Sequence, residues 1–595
     1  MKKNYLLLSA LSLCFIGANA QLNYTQVTSS GLTAVTFEMG MAEIEIGDVD
    51  GDGDLDIVSI GDHGSPHVNA TEQGVMVWKN NGTGSAWTLN KSGDFGYGGI
   101  ALGDVNNDGK MDVGYAMHHD YSGVSFGDQL IEVALGNGTG STWNPYDNGL
   151  AANGETYGMF GIDFADVNND GLLDLASNSF GCCSGIHIYK NNGNGSWTQT
   201  DGVNAGNSGE WVKFGDFNND GNVDLTTANE VGLVWSNNGT GFFSSMQAGI
   251  TTDWFMQLDV ADVNNDGAKD LCVIDTAAAA KVFYYNKNQS KWISISSGLP
   301  TSGCLNISVK DMNMDGNADV VVCKKNVVEV YAGDGYGNWL LSGSVTVPEN
   351  EFNAMATGDF DNDGYSDIVF LGRDYSSSMN DNHLRVYLHD AMVHGINIVP
   401  VNPKGFECFA PGSVQFVNWM SSVPPSGPAA TVMIEFSSTG TAGPWSTIAS
   451  GAPNNGTYQW IVPSAINSPN CYLKYTITSG NNTKTVVMSN AFGIGTCATP
   501  PTAVEENGQN TLGFSVYPNP MVTQGYAHFN LERSSLVKIQ IVDMLGKEVS
   551  VIVNETLAAG SHNTRIPVEN LNAGIYFCKI TSAEISLTEK IVVAK

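Results

Sequence analysis

A nine-residue pattern, Asp-x-[Asp/Asn]-x-Asp-Gly-x-x-Asp, occurs seven times in this 595-residue chain and limits its fold more than any other feature. Written by positions 1, 3, 5, 7 and 9, the first copy is Asp48, Asp50, Asp52, Asp54 and Asp56. The second is Asp104, Asn106, Asp108, Lys110 and Asp112, and the third Asp166, Asn168, Asp170, Leu172 and Asp174. Asp216, Asn218, Asp220, Asn222 and Asp224 follow, then Asp262, Asn264, Asp266, Ala268 and Asp270. The last two are Asp311, Asn313, Asp315, Asn317 and Asp319, and Asp359, Asp361, Asp363, Tyr365 and Asp367. Successive copies start 56, 62, 50, 46, 49 and 48 residues apart. A period of this size marks a repeat architecture, in which each unit buries its apolar face only against its neighbours.

The spacing has a chemical reason. Oxygen donors at positions 1, 3 and 5 of a tight loop converge on one point. Glycine at position 6 permits the sharp turn, the backbone carbonyl at position 7 adds a donor, and the carboxylate at position 9 closes the shell. Hard oxygen ligands without His or Cys suit Ca²⁺ rather than zinc or copper, and seven loops make room for up to seven ions. Ordinary Asx turns would account for one or two loops, but not for seven with the same final Asp. An EF-hand needs an acidic ligand at position 12; here that position holds Ser59, Tyr115, Ser177, Thr227, Val273, Val322 and Phe370.

The flanks place each loop between strands. Ile44–Gly47 and Val212–Gly215 alternate before their loops, and Ile57–Ile60 and Val320–Cys323 are β-branched after theirs. This period of two predicts strand–loop–strand. A second recurrence follows, as in Val77-Trp78-Lys79-Asn80-Asn81-Gly82 and Ile188-Tyr189-Lys190-Asn191-Asn192-Gly193, and predicts a third strand, a turn and a fourth. Residues 21–395 therefore read as a seven-bladed β-propeller of four-stranded blades. A linear β-solenoid is the competing repeat fold, but its units are shorter and more uniform. The motif and its strands resemble the FG-GAP/VCBS repeats of integrin α-subunit propellers and related bacterial surface proteins.

Charge supports the metal reading. The chain holds 60 Asp and Glu against 26 Lys and Arg, a formal net charge of −34, and twenty-four of those acids lie in the seven loops. So few bases argue against binding a phosphate backbone, so nucleic acid is excluded as a partner. Lys2 and Lys3, the apolar run Tyr5–Ile16 and Ala18-Asn19-Ala20 read as a signal peptide over 1–20. No later stretch is apolar enough to span a membrane as a helix.

Alternating segments such as Val432–Phe436 and Tyr472–Ile477 predict an Ig/fibronectin-like β-sandwich over 396–498, read as a spacer or a carbohydrate-binding module. Residues 499–510 form a linker. From 511 to 595, Val516-Tyr517-Pro518-Asn519-Pro520, Val537–Lys547 and Gly574-Ile575-Tyr576 resemble the C-terminal sorting domain of the type IX secretion system. That resemblance implies a small sandwich read by the type IX machinery, export through the periplasm, and a secreted or outer-surface destination. The fold class expected is thus all-β throughout.

Catalytic signals are weak. Gly123-Val124-Ser125-Phe126-Gly127 matches a nucleophile elbow but lacks the strand–turn–helix setting. His118, His119, Asp120, His63 and His67 are candidates for acid–base work at a propeller mouth. Trp78, Trp87, Trp143, Trp197, Trp235, Trp254 and Trp339 offer flat faces for sugar rings, or else inter-blade core. The expectation is a calcium-binding recognition or adhesion propeller with a glycan or protein ligand. A propeller-based polysaccharide lyase or hydrolase is the alternative.

Overall fold

A computed structural model of the chain describes most of residues 22–498 and 514–593; the stretches 1–21, 33–42, 62–73, 118–128, 204–210, 375–381, 391–394 and 499–513, and some shorter ones, lie outside the described residues. The histidine candidates, the Gly123–Gly127 match and Trp254 fall in undescribed stretches. The described residues form strands and no helix, in two compact units, Met1–Ala498 and Thr499–Lys595.

In the first unit, seven four-stranded antiparallel sheets are built on the seven loops. In each sheet, the strand before a loop pairs with the strand after it. Gly47 thus faces Asp56 and Gly215 faces Asp224. The first strands, from Ile44–Gly47 through Trp211–Gly215 to Glu351–Gly358, each touch those of the two neighbouring sheets, and the last meets the first. That closed ring is the arrangement of a β-propeller. The seventh sheet takes its outermost strand from the start of the chain: Tyr24–Gln26 pairs with Asn382–His389, so the ring is closed by hydrogen bonds.

Between sheets lie apolar layers. Trp78, Trp87 and Phe360 pack between the first and last sheets, and Val212, Phe214 and Trp235 between the third and fourth. Trp78, Trp87, Trp143, Trp197, Trp235 and Trp339 are all buried, Trp78 completely. The indole N–H groups of Trp87, Trp197 and Trp339 donate to the backbone oxygens of Gly84, Tyr146 and Ile295. The sugar-platform reading of these rings is thereby corrected: each is worth more as buried apolar area between sheets than as an exposed face.

The same unit also contains a sandwich. Val414–Ser422 pairs with Asn397–Asn402 and Thr457–Ile461, opposite a sheet centred on Ser468–Ser479, around Trp419, Ile434, Trp460, Tyr475 and Phe492. Cys408 and Cys497 form a disulfide across it. The second unit packs two sheets of three and four strands on Phe529, Val537, Ile539, Ile566 and Ile591.

Candidate functional site

The seven loops share one hydrogen-bond plan. The carboxylate at position 1 accepts the N–H of the position-6 glycine at 2.7–3.1 Å in every loop. These glycines have φ between +82° and +97°, a conformation that side-chain-bearing residues avoid. The carboxylate at position 5 accepts the position-7 N–H at 2.8–3.0 Å. The position-9 carboxylate, buried in all seven loops, accepts the position-2 N–H at 2.7–3.1 Å through one oxygen. In six loops its other oxygen accepts an N–H from the end of the third strand at 2.8–2.9 Å. Asp270 Oδ1 is the exception, buried without a hydrogen-bond partner among the described residues.

Position 4 lies in the left-handed region in all seven loops, as Asn in five of them. In four loops its side chain ties the loop to the next. Asn107 donates to Gly171 O at 3.0 Å, Asn169 to Asn222 at 2.9 Å, Asn265 to Asn317 at 3.0 Å, and Asn362 to Asp54 at 3.2 Å. The recurring Asn of the third strand does similar work. Asn80, Asn191 and Asn237 each donate to a carbonyl of the neighbouring loop at 2.7–2.8 Å.

Oxygen atoms of Asp48, Asp50 and Asp56 lie within 4.8 Å of one another, as do those of Asp359, Asp361 and Asp363. These two loops are the ones with Asp at position 3; the other five present the Asn carboxamide there. A hard-cation donor set therefore fits, since each carboxylate that takes a backbone N–H keeps lone pairs for an ion. Burial, reinforced by neighbouring carboxylates, raises Asp56 to about 8 and Asp112 and Asp363 to about 7, and moves Asp174, Asp319 and Asp367 well above the usual range. A cation in the loops would offset the same repulsion.

The sandwich lies on this loop face. Asn455 donates to Asp48 at 3.2 Å, and Gln459 brackets the backbone of Asp104 at 2.8 and 3.1 Å. Val414 N donates to Asp166 at 3.0 Å. Asn219 donates to Phe406 O at 2.8 Å and accepts from Cys408 N at 2.7 Å. Lys404 donates to Asn265, and Asn454 to Asn362 at 3.2 Å. Six of the seven loops are thus hydrogen-bonded to one domain. The residues that dock are Asn, Gln, Lys404 and backbone groups, which in a sequence look like any turn.

Behind the loops runs the propeller axis. A cavity of about 500 Å³ occupies it, lined by first-strand residues and, from the sandwich, by Trp419, Asn454 and Thr457. One residue before each loop the blades carry Gly47, Gly103, Ala165, Gly215, Ala261, Lys310 and Gly358, small except for the lysine. Three residues before, they carry Glu45, Ala101, Asp163, Lys213, Asp259, Ser308 and Ala356. Lys213 and Glu45 form an ion pair at 2.8 Å, and Asp259 accepts from Val309 N at 2.8 Å and Ser308 at 3.1 Å. This polar ring was not singled out from sequence. The signal that finds it is the alignment of the seven first strands on their loops, which exposes charged residues where an ordinary strand facing a core would be apolar.

Comparison with known proteins places these elements. A family model described as a secretion system C-terminal sorting domain matches residues 515–594, and one described as an FG-GAP-like repeat matches residues 48–115, 262–322 and 311–370. The chain carries FG-GAP-like repeats and a type IX sorting domain. It is therefore an exported protein with a secreted or cell-surface location that interacts with the type IX secretion system. No curated protein matches the chain. Among solved structures it is similar to an Agrocybe aegerita lectin described by its recognition of non-reducing terminal N-acetylglucosamine. There the identity is 20%, coverage is 51% of this chain and 79% of that one, and the TM-score is 0.36. Similarity also extends to PorZ, a surface component of the Porphyromonas gingivalis type IX system, at 12% identity, 74% and 58% coverage and a TM-score of 0.37. A luciferin-regenerating enzyme aligns at 10% identity over 62% and 96%, with a TM-score of 0.32.

Proposed function

We propose that the chain is a calcium-stiffened recognition module that is carried out of the cell by its sorting domain and binds an extracellular glycan or protein. The observation that carries the calcium reading is the convergence of three carboxylates in the first loop and three in the last, on a hydrogen-bond plan that all seven loops share. Bound Ca²⁺ supplies positive charge where buried carboxylates repel one another, and so fixes the loops that the sandwich rests on. Because the described propeller tryptophans are buried, surface recognition on the propeller falls to other rings. Tyr336 and Phe242 stand 82% and 62% exposed on the turns between third and fourth strands and offer apolar faces for a sugar ring.

Calcium titration of the metal-free chain, read by calorimetry and elemental analysis, tests the first half of the reading. Close to seven ions per chain are expected; two would confine the metal to the Asp-rich first and last loops, and none would overturn it. A glycan array probed with the calcium-loaded chain tests the second half. Saturable binding is expected, weakened by Tyr336→Ala; an empty array would leave a protein ligand.

A further inference from the structure

Five residues before each loop, the first strands carry Glu43, Gly99, Gly161, Trp211, Gln257, Asn306 and Ala354. Three of the four long side chains in this layer hold a buried polar atom with no hydrogen-bond partner among the described residues: Glu43 Oε1, Trp211 Nε1 and Asn306 Nδ2. All three residues line the axial cavity, and all are more than nine-tenths buried. Their orientations are fixed from behind. Glu43 Oε2 accepts the N–H of Ile100 at 3.1 Å, and Asn306 Oδ1 accepts the N–H of Ile307 at 2.9 Å, so the remaining atom of each is the one left unserved.

A buried polar atom without a partner costs about 1–3 kcal/mol, and three in one layer of one cavity ask for a common partner. Its chemistry follows from what they need. Two are donors and one is a carboxyl oxygen. An ammonium ion donates only and would leave the indole and the amide unserved. A phosphate or carboxylate is an anion, and would face the acidic side chains Glu43, Glu45 and Asp259. A hydroxyl both donates and accepts, and several hydroxyls on a compact ring reach donors and acceptor on three different blades at once. The volume of about 500 Å³ admits a ring of monosaccharide size. The next layer leaves room beside it, since its ion pair keeps 22% of the Lys213 side chain and 29% of Glu45 uncovered by protein.

We propose that the axial chamber is a binding site for a small, neutral polyhydroxylated ring, held by Glu43, Trp211 and Asn306. The site is separate from the outer surface to which the glycan reading refers, and the two stand or fall independently. Calorimetric titration of the calcium-loaded full chain with free glucose, galactose, mannose, xylose and myo-inositol tests it. At least one of these is expected to bind at one molecule per chain. Glu43→Gln, Trp211→Phe and Asn306→Ser, which keep most of the bulk and remove one partner each, are expected to weaken that binding about tenfold or more. Their thermal midpoints and circular dichroism report whether each variant is folded, and two of the three suffice. No binding by any of the five rings, with water alone serving the three atoms, overturns the proposal. So does binding that the folded variants leave unchanged. A positive array of immobilised glycans beside an empty free-sugar titration overturns the chamber alone, and the reverse pattern overturns the surface reading alone.

Discussion

Nine residues into every loop the seven blades carry the same aspartate, whereas five residues before the same loops they carry Glu43, Gly99, Gly161, Trp211, Gln257, Asn306 and Ala354. The Asp opens the second strand of its sheet, the axial residue lies thirteen positions earlier near the start of the first, and both are largely buried. The loop position is uniform because its work is uniform. Each Asp takes a backbone N–H at the loop's start, and in six blades another at the end of the third strand, so every blade needs it to close. The axial position has no such duty, and five of its seven residues, Glu43, Trp211, Gln257, Asn306 and Ala354, line a single chamber. Uniform positions build the scaffold, and divergent ones at matching register are free to recognise something without sevenfold symmetry.

Chelation should separate the two regions most sharply. Each loop that binds calcium only when folded adds about 2.7 kcal/mol at a hundredfold excess over Kd. Excess chelator is therefore expected to lower the calorimetric midpoint of the propeller-containing unit by roughly 10 °C or more. The C-terminal unit, which contains no copy of the motif, should melt unchanged. A propeller transition indifferent to chelator would detach the loops from calcium and leave them as hydrogen-bonded turns.

The next largest effect distinguishes scaffold from axis within one blade. Asp224→Ala leaves the buried N–H groups of Phe217 and Asn237 without acceptors and should cost about 3–5 kcal/mol in urea unfolding. Gln257→Ala, at the axis of the adjoining blade, should cost less than about 1 kcal/mol. Equal losses would mean that the axial layer is also scaffold.

The sequence carried the repeated part of this molecule well. The Asp and Gly positions of the loops, the strands on either side and the number of loops follow from local chemistry that each blade repeats. The sorting domain followed from its resemblance at Val516–Pro520 and Val537–Lys547, within the residues that the family model matches. What it carried poorly was everything that depends on which residues meet across blades. Trp87 and Trp197 look the same in a sequence whether they face a sugar or a neighbouring sheet, and closure of the ring decides for the sheet. Asn219 reads as a loop residue and turns out to hold the backbone of Phe406 and Cys408, nearly two hundred positions later. Cysteines that an exported chain leaves free to pair divide by location as well. Cys408 and Cys497 join, whereas Cys272, Cys304, Cys323 and Cys471 are buried thiols inside separate strands.

The smallest effect probes the axial layer directly. Burial raises Glu43 from 4.5 to about 8, with Lys213 opposing and Glu45 and Asp163 adding to the rise. A carboxyl that binds its proton more tightly when folded stabilises the fold at low pH, and this contribution is lost as pH climbs from about 4.5 to about 8. The native chain should therefore lose ground to Glu43→Gln across that window, by about 1–3 °C in thermal midpoint, while the two stay level below it. Calcium must be held saturating throughout, because the loop carboxylates titrate in an overlapping range and would otherwise mask so small a difference. A saturating polyol should shrink the gap, since hydroxyls that donate to Glu43 favour its charged form and lower its pKa. Profiles that run parallel from pH 4 to 9 would show that Glu43 already has a partner, and would remove one of the three atoms on which the chamber's chemistry rests.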